Sequence, residues 1–94
     1  MAKRPTAEPD EEADRKHSQA ERLATRIGAS VMIALGHPED FFRVLVVRLW
    51  ENHYRVNIQT GVDPVSLRVA HSFFLTTDEN GKIVASNPAI TRQY

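Results

Sequence analysis

The chain has 94 residues, which is enough for one small domain with a thin hydrophobic core. Its 12 basic and 12 acidic residues cancel, so no field of the whole protein favours a polyanion or an anionic membrane, and any such binding must come from a local patch. The absence of cysteine excludes disulfides, thiolate metal sites and cysteine catalysis.

The first residues form a polar segment. Residues 1–14 are rich in acidic side chains, include Pro5 and Pro9, and contain no large apolar side chain after Met1, so burial cannot offset the entropy lost on ordering them. We predict a disordered tail over residues 1–14 and a single domain over residues 15–94, and a transition of this tail into helix at Pro9–Asp10 is also open. No stretch is typical of a signal peptide or long enough to cross a bilayer, so we expect a cytoplasmic protein without membrane contact.

A helix is predicted to begin at Ser18. Ser18 and Glu21 match the capping box, in which the serine oxygen and the glutamate carboxylate each accept a hydrogen bond from a backbone amide of the first turn. Gly36 and Pro38 are typical of a helix end. Gly28 costs about 1 kcal/mol relative to alanine, and we expect it to let a sheet or a second helix approach closely. The apolar stripe of this helix has spacings of three and four: Ala20, Leu23, Ala24, Ile27, Val31, Ala34 and Leu35.

Residues 41–61 predict an antiparallel hairpin. Two runs of β-branched and aromatic residues flank the polar break at residues 51–53, and the second run alternates strictly between apolar and polar side chains. A helix starting at Pro38 is the rival, but valines at 44, 46 and 47 lose side-chain freedom in a helix. We expect at most one helical turn, over residues 38–41.

The register of this hairpin decides which side chains face the core. A two-residue loop at Asn52–His53, or a four-residue loop over residues 51–54, places Leu49 opposite Val56, whereas a three-residue loop pairs Trp50 with Tyr54. We favour the first pairing because it gathers one apolar face: Leu45, Val47, Leu49, Val56 and Ile58. The opposite, mixed face is the predicted binding surface, and it comprises Val44, Val46, Arg48, Trp50, Arg55, Asn57 and Gln59.

A second hairpin is predicted from residues 67–77 and 82–86. Asn80–Gly81 is a strong turn signal, and a two-residue turn there places Leu75 opposite Ser86 and Thr77 opposite Val84. His71 then shares a face with Val69, Phe73 and Leu75. The predicted fold is α+β, with one N-terminal amphipathic helix packed on a four-stranded antiparallel sheet made of two β-hairpins.

No catalytic or metal-binding pattern is present. The histidines at 17, 37, 53 and 71 lack chelating spacing, and we interpret His37 as a helix C-cap, His53 as a turn residue and His71 as a hydrogen-bonded core residue. The carboxylate pairs at residues 39–40 and 78–79 lie in predicted turns, where solvated carboxylates are expected, and neither pair is next to an inferred apolar pocket. No nucleophile elbow or glycine-rich phosphate loop occurs. We therefore predict a protein that is not an enzyme and needs no cofactor or metal.

Two functions fit the mixed face. Tryptophan and arginine are typical anchors of protein interfaces, so the first hypothesis is a small protein-interaction module that forms a symmetric dimer or binds another protein there. The alternative is single-stranded nucleic acid, with Trp50 stacking on bases and Arg48 and Arg55 contacting phosphates. Zero net charge favours protein. A third interpretation, also open, is that the helix covers this face and Trp50 lies at the edge of the core.

Overall fold

The computed structural model describes residues 10–94, with side chains from residue 18 onward. Helix α1 spans Asp10–Leu35, and it is followed by strands β1 (Phe41–Trp50), β2 (His53–Thr60), β3 (Arg68–Thr77) and β4 (Ile83–Asn87). The strands form one antiparallel sheet in the order β1-β2-β3-β4, and a short 3₁₀ turn at Pro64–Ser66 precedes β3. The predicted α+β fold, one helix on two antiparallel hairpins, is confirmed.

The helix begins earlier than its sequence signal indicates. Helix α1 starts at Asp10, so Ser18 lies inside it and the predicted start at the capping box is wrong. The intervening residues are mostly good helix formers, and acidic residues in the first turns favour the positive end of the helix dipole. The last five residues of the predicted tail therefore belong to α1. Residues 1–9 lie outside the described residues, and the domain limits stay a prediction.

Gly36 ends the helix, as predicted. Its φ of 92° is left-handed, and its N–H donates to the carbonyl of Met32 at 2.8 Å. A Cβ at Gly36 would lie 2.7 Å from the carbonyl oxygen of Tyr94, so no other residue fits there without displacement. The N–H groups of Gln93 and Tyr94 donate to the carbonyl of Leu35 at 2.8 and 3.2 Å. The C-terminal segment thus supplies donors that the last turn of the helix lacks.

The core lies between α1 and the two central strands. Leu23 and Ala24 of the predicted stripe are half-buried, whereas Ala20 and Ala34 are exposed and Met32 is buried instead. The buried side of the helix is therefore rotated slightly from the predicted stripe. The core consists of Ile27, Val31, Met32 and Leu35 from α1, Tyr54, Val56 and Ile58 from β2, and Phe73 and Leu75 from β3.

Gly28 brings the helix close to β1. A Cβ on Gly28 would lie 3.4 Å from Val44 Cγ1 and 3.4 Å from Val46 Cγ2, so the expected close approach is an approach to the sheet. Val44 and Val46 pack against the core from the edge of the sheet. They therefore lie on the helix side of β1, which corrects their predicted place on the opposite face.

A β-bulge explains this correction. The turn consists of Glu51 and Asn52, so Trp50 pairs with His53. The predicted register placed Trp50 opposite Arg55, two residues farther along β2. Because side chains alternate with a period of two, this displacement alone would leave every residue on its predicted face. The bulge at Leu49 adds one more residue, and Arg48 consequently pairs with Tyr54. A shift of one residue reverses the faces of β1 between Arg43 and Arg48. The predicted inward set of Leu45, Val47 and Leu49 is therefore wrong.

The second hairpin follows its predicted register except at one bulge. Leu75 pairs with Ser86 as predicted, whereas Thr77 pairs with Ile83 rather than Val84. Ile83 packs against the core and Val84 remains 60 % exposed. In the pairing of β3 with β2, a second register shift lies beside Ile58 and places Val69 opposite Gln59. Val69 therefore does not lie on the face that His71 shares with Phe73.

Asp78 organises the turn between β3 and β4. Its Oδ1 accepts hydrogen bonds from the N–H groups of Asn80 at 2.8 Å and Lys82 at 2.9 Å, and Gly81 adopts a left-handed φ of 86°. The backbone N–H of Lys82 is the main cause of a lowered pKa of the Asp78 carboxyl, with help from the N–H of Asn80. The ionised carboxylate therefore stabilises this turn.

We expect Asp78→Ala to lower the melting temperature at neutral pH, because the turn amides lose their acceptor. The folded-state pKa lies below the ordinary value of 3.8, so the carboxylate stabilises the fold above that pH and loses its effect as the pH falls through the folded pKa. The difference in melting temperature between the parent and the variant should thus shrink in acid. Glu79→Ala, at the neighbouring carboxylate, is the control. A difference that does not depend on pH would contradict the role of the ionised group.

Candidate functional site

The face of the sheet that points away from α1 is not covered by any part of the chain that the structure describes. Alternation along the paired strands assigns its side chains, and buried residues of β2 and β3 alternate with these in sequence. We call this surface the open face. It comprises Arg43, Leu45, Val47 and Trp50 of β1, His53, Arg55, Asn57 and Gln59 of β2, Val69, Ser72, Phe74 and Thr76 of β3, and Ala85 and Asn87 of β4.

The predicted binding residues divide between the two sides of the sheet. Trp50, Arg55, Asn57 and Gln59 lie on the open face, whereas Val44, Val46 and Arg48 lie on the helix side. The bulge at Leu49 separates the two groups, because it reverses the residues that precede it and leaves Trp50 on its predicted side.

Arg48 shows most clearly how the bulge moves a predicted binding residue to the helix side of the sheet. Its Nε donates to the carbonyl oxygen of Glu51 at 2.9 Å, and Glu51 has a left-handed φ of 35°. Arg48 lines a shallow groove beside Tyr54 and the first half of α1. It therefore stabilises the hairpin turn from the helix side and does not share a surface with Trp50 and Arg55.

Ten residues of the open face were missing from the predicted site, including the apolar residues Leu45, Val47 and Phe74. Leu45 and Val47 were assigned to the core by the wrong register. Phe74 lies opposite Arg55, and the alternation of Phe73, Phe74 and Leu75 placed it outward, but sequence gave no sign that β3 pairs with β2 at that position. The pairing of the two hairpins is the step that brings these side chains together.

An aromatic cluster lies at one end of the open face. The rings of Trp50 and His53 stack with centroids 4.7 Å apart and planes inclined by 22°. The ring of Phe74 lies 5.9 Å from each of them. Trp50 nevertheless remains 53 % exposed, so one side of this cluster is available to a partner.

Beside the cluster, polar side chains bond to one another across the strands. Arg55 Nη1 donates to Ser72 Oγ at 3.3 Å, and Ser72 Oγ donates to Asn57 Oδ1 at 2.7 Å. Farther along β2, Gln59 Oε1 accepts a hydrogen bond of 2.6 Å from Arg43 Nε. These bonds already satisfy part of the hydrogen-bonding capacity of the face, which reduces the cost of excluding water from it.

Charge is unevenly distributed in the molecule. The four strands contain no aspartate or glutamate, although the whole chain is neutral. Of their arginines, Arg68 lies 3.9 Å from a carboxylate oxygen of Asp40, and Arg48 lies on the helix side. Arg43 and Arg55 therefore give the open face a modest positive charge.

The histidines outside the cluster have structural surroundings. The ring of His37 meets that of Phe41 edge-on at 4.9 Å. His71 Nε2 lies 2.8 Å from the hydroxyl of Tyr94, and the ring of His71 is parallel to that of Phe73. The side chain of His17 lies outside the described residues. Within residues 18–94, no three histidine, aspartate or glutamate side chains are grouped to hold a metal ion.

Comparison with known proteins returned no match among family models, curated proteins or solved structures. Within residues 10–94, no helix combines the length and the hydropathy that crossing a bilayer requires. The functional argument for this chain therefore depends on the geometry and chemistry of its own residues.

We expect His53→Ala to shift the emission of Trp50 to longer wavelength, because the imidazole covers one side of the indole and its loss admits water. Trp50 is the single tryptophan, so the signal reports this site alone. The measurement is a fluorescence spectrum at protein concentrations low enough for the monomer. His37→Ala removes an imidazole away from the cluster and should leave the spectrum unchanged. Identical spectra for the parent and His53→Ala would show that the stack does not form.

Proposed function

We propose that the protein is a non-enzymatic, self-associating interaction module in which a second copy covers the open face. The observation that carries this proposal is the set of apolar side chains that one helix leaves uncovered. Val47, Trp50 and Val69 are 51, 53 and 50 % exposed, and they share the open face with Leu45 and Phe74. Leu45, Val47 and Trp50 follow one another on the open side of β1, Trp50 lies beside Phe74, and monomeric proteins seldom leave a large apolar patch in water. A cytoplasmic location without a cofactor belongs to the same proposal.

The size of the open face suits a stable dimer. The four strands contain 33 residues, and at about 3.3 Å per residue and about 4.8 Å between strands they give roughly 500 Å² in projection. Side-chain relief makes the accessible area larger than the projection. A standard protein interface buries about 800 Å² on each partner, so two open faces packed together reach this range.

The composition of the open face also favours a protein partner. Trp50 supplies a large apolar anchor, and tryptophan and arginine are the residues most enriched at energetic centres of interfaces. The bonds from Arg55 to Ser72 and from Ser72 to Asn57 hold the polar groups in fixed positions. A second copy presents the amide oxygens of Asn57 and Gln59, each of which has a further lone pair that can accept a hydrogen bond from an arginine.

Trp50→Ala should weaken self-association by about tenfold or more, because loss of an interface anchor costs about 2 kcal/mol. The measurement is sedimentation equilibrium over micromolar concentrations, where the parent protein should have the mass of two copies or a multiple of two. The melting temperature of the isolated monomer should change little, since Trp50 is 53 % exposed there. A parent protein that is monomeric over the whole range would contradict the proposal.

A matched pair of charge insertions controls for general effects of lysine. Val69→Lys introduces a charge on the open face, away from β1, and should dissociate the face-to-face contact. Val62→Lys introduces the same charge in the loop after β2, where the parent side chain is 87 % exposed, and should leave the mass unchanged. Equal effects of the two substitutions would show that the open face is not the contact.

A second candidate function is binding of single-stranded nucleic acid. It is favoured by the absence of acidic residues from the strands and by the position of Arg55 next to the rings of Trp50 and Phe74. Exposed bases stack on such rings while arginines contact phosphates. The phosphate contact first assigned to Arg48 is now proposed for Arg43, because Arg48 lies on the helix side of the sheet.

Titration of labelled single-stranded oligonucleotides at low and moderate salt tests this second function. Binding through Arg43 and Arg55 should weaken with salt by a slope of about 0.7 for each phosphate neutralised, and Arg55→Ala should lessen the slope by about one such step. Arg48→Ala is the control, since that arginine lies on the other side of the sheet. No binding at low salt would eliminate nucleic acid and leave self-association unaffected.

A further inference from the structure

We propose that the free edge of β1 is a second interface, at which β1 of another copy pairs antiparallel to form a continuous eight-stranded sheet. The two edges of the sheet differ greatly. Strand β4 has five residues, contains a bulge and is followed by Pro88, all of which hinder pairing. Strand β1 has ten residues with no proline or acidic residue, and the six from Arg43 to Arg48 pair with β2 without a bulge.

The backbone bonds around β2 show which groups of β1 point outward. Gly61 N–H donates to the carbonyl of Asp40 at 2.9 Å, so odd-numbered residues of β2 exchange hydrogen bonds with β1. Thr77 N–H donates to the carbonyl of Asn52 at 2.9 Å, which assigns the even-numbered residues of β2 to β3. By this alternation Val44, Val46 and Arg48 direct their N–H and C=O groups away from the sheet.

The register of the paired edges follows from these outward groups. With Val46 opposite Val46 of the second copy, Val44 pairs with Arg48 of that copy, and all three outward residues find partners through about six hydrogen bonds. This register also keeps arginines apart, because Arg43 then lies opposite Leu49 of the second copy. A register shifted by one residue would place Arg43 opposite Arg48, where like charges are unfavourable, and would put the two helices on opposite faces.

An apolar groove beside β1 supports the same arrangement. On the helix side, Ala29, Met32 and Ile33 of α1 and Phe41 and Val44 of β1 line an open groove. Ile33 is 77 % exposed there, which is unusual for a large aliphatic side chain next to a core. Because the register places both helices on one side of the joined sheet, each groove faces the helix of the other copy. The edge pairing thus buries apolar surface in addition to forming backbone bonds.

This interface does not depend on packing of the open face. If both contacts form, the assembly contains four copies, and loss of either one leaves a pair. The two contacts also differ in geometry, since paired strands lie about 4.8 Å apart whereas packed sheets lie about 10 Å apart. A disulfide requires Cα atoms within about 7 Å, which directly opposite residues of paired strands always satisfy and which residues of two packed sheets seldom do, so the dependence of cross-linking on the paired positions identifies the edge contact.

Engineered cysteines test the edge and its register, because the chain has none of its own. In the proposed register Leu45 lies opposite Val47 of the second copy, in a non-hydrogen-bonded pair with Cα atoms about 4.5 Å apart. Two copies of the same position lie about 8 Å apart. Leu45→Cys and Val47→Cys proteins are therefore prepared separately, mixed in denaturant, refolded together and oxidised. We expect a covalent dimer on a non-reducing gel for the mixture, and at most trace amounts for either variant alone.

A mixture that does not cross-link, or variants that cross-link equally well alone, would overturn the proposal. Circular dichroism of the reduced proteins verifies that each variant folds. Arg48→Pro provides a second measurement, since it removes an outward N–H without removing a bond to β2, and it should halve the mass in solution. Arg48→Ala keeps the N–H and should not. Loss of mass in both variants would assign the effect to the side chain, whereas loss in neither would leave the edge without a role in assembly.

Discussion

The architecture depends on one inserted residue, the bulge at Leu49. One helix can cover only one face of a four-stranded sheet, so each strand must place its apolar residues on the correct side. Between Val44 and Leu49, strand β1 has apolar residues at both even and odd positions, and the bulge decides which of these two sets faces α1. Val44 and Val46 consequently meet Gly28 under the helix, and Leu45 and Val47 are left on the open face.

The same bulge assembles the candidate site. It returns Trp50 to the side of the sheet that carries His53 and Phe74, and so creates the aromatic cluster. Without the extra residue, Trp50 and Val47 would lie on opposite faces. Leu45, Val47 and Trp50 of β1 therefore share one surface with Phe74, and this grouping is the physical basis for proposing that another copy covers it.

Much of the fold follows from local signals in the sequence. Gly36 marks the helix end, residues 41–61 form the hairpin that their two β-rich runs indicate, and Asn80–Gly81 lies in the turn between β3 and β4. These features depend on backbone conformation or on a clear period of two or about 3.6 residues. The capping box at Ser18 does not mark the helix start, because a longer run of helix-forming residues overrides this local motif and carries the helix back to Asp10, the earlier start that the sequence left open.

The predicted faces of the candidate binding residues were correct only for some of them. The sequence of a segment such as Val44 to Leu49 does not reveal a bulge, because every register of this segment buries some apolar side chains. Trp50, Arg55, Asn57 and Gln59 were placed correctly because β2 alternates strictly and Trp50 lies beyond the bulge. The contribution of β3 required the long-range pairing of Arg55 with Phe74, which no local pattern specifies.

Accessibility of Trp50 to a neutral quencher, measured against protein concentration, tests the central claim most directly. The indole is 53 % exposed in one copy, so at nanomolar concentration acrylamide should quench its emission efficiently. If a second copy covers the open face, the quenching constant should fall as the concentration rises through the micromolar range, in step with the increase in mass. A quenching constant that stays high at every concentration would contradict the account, because the open face would then remain in water.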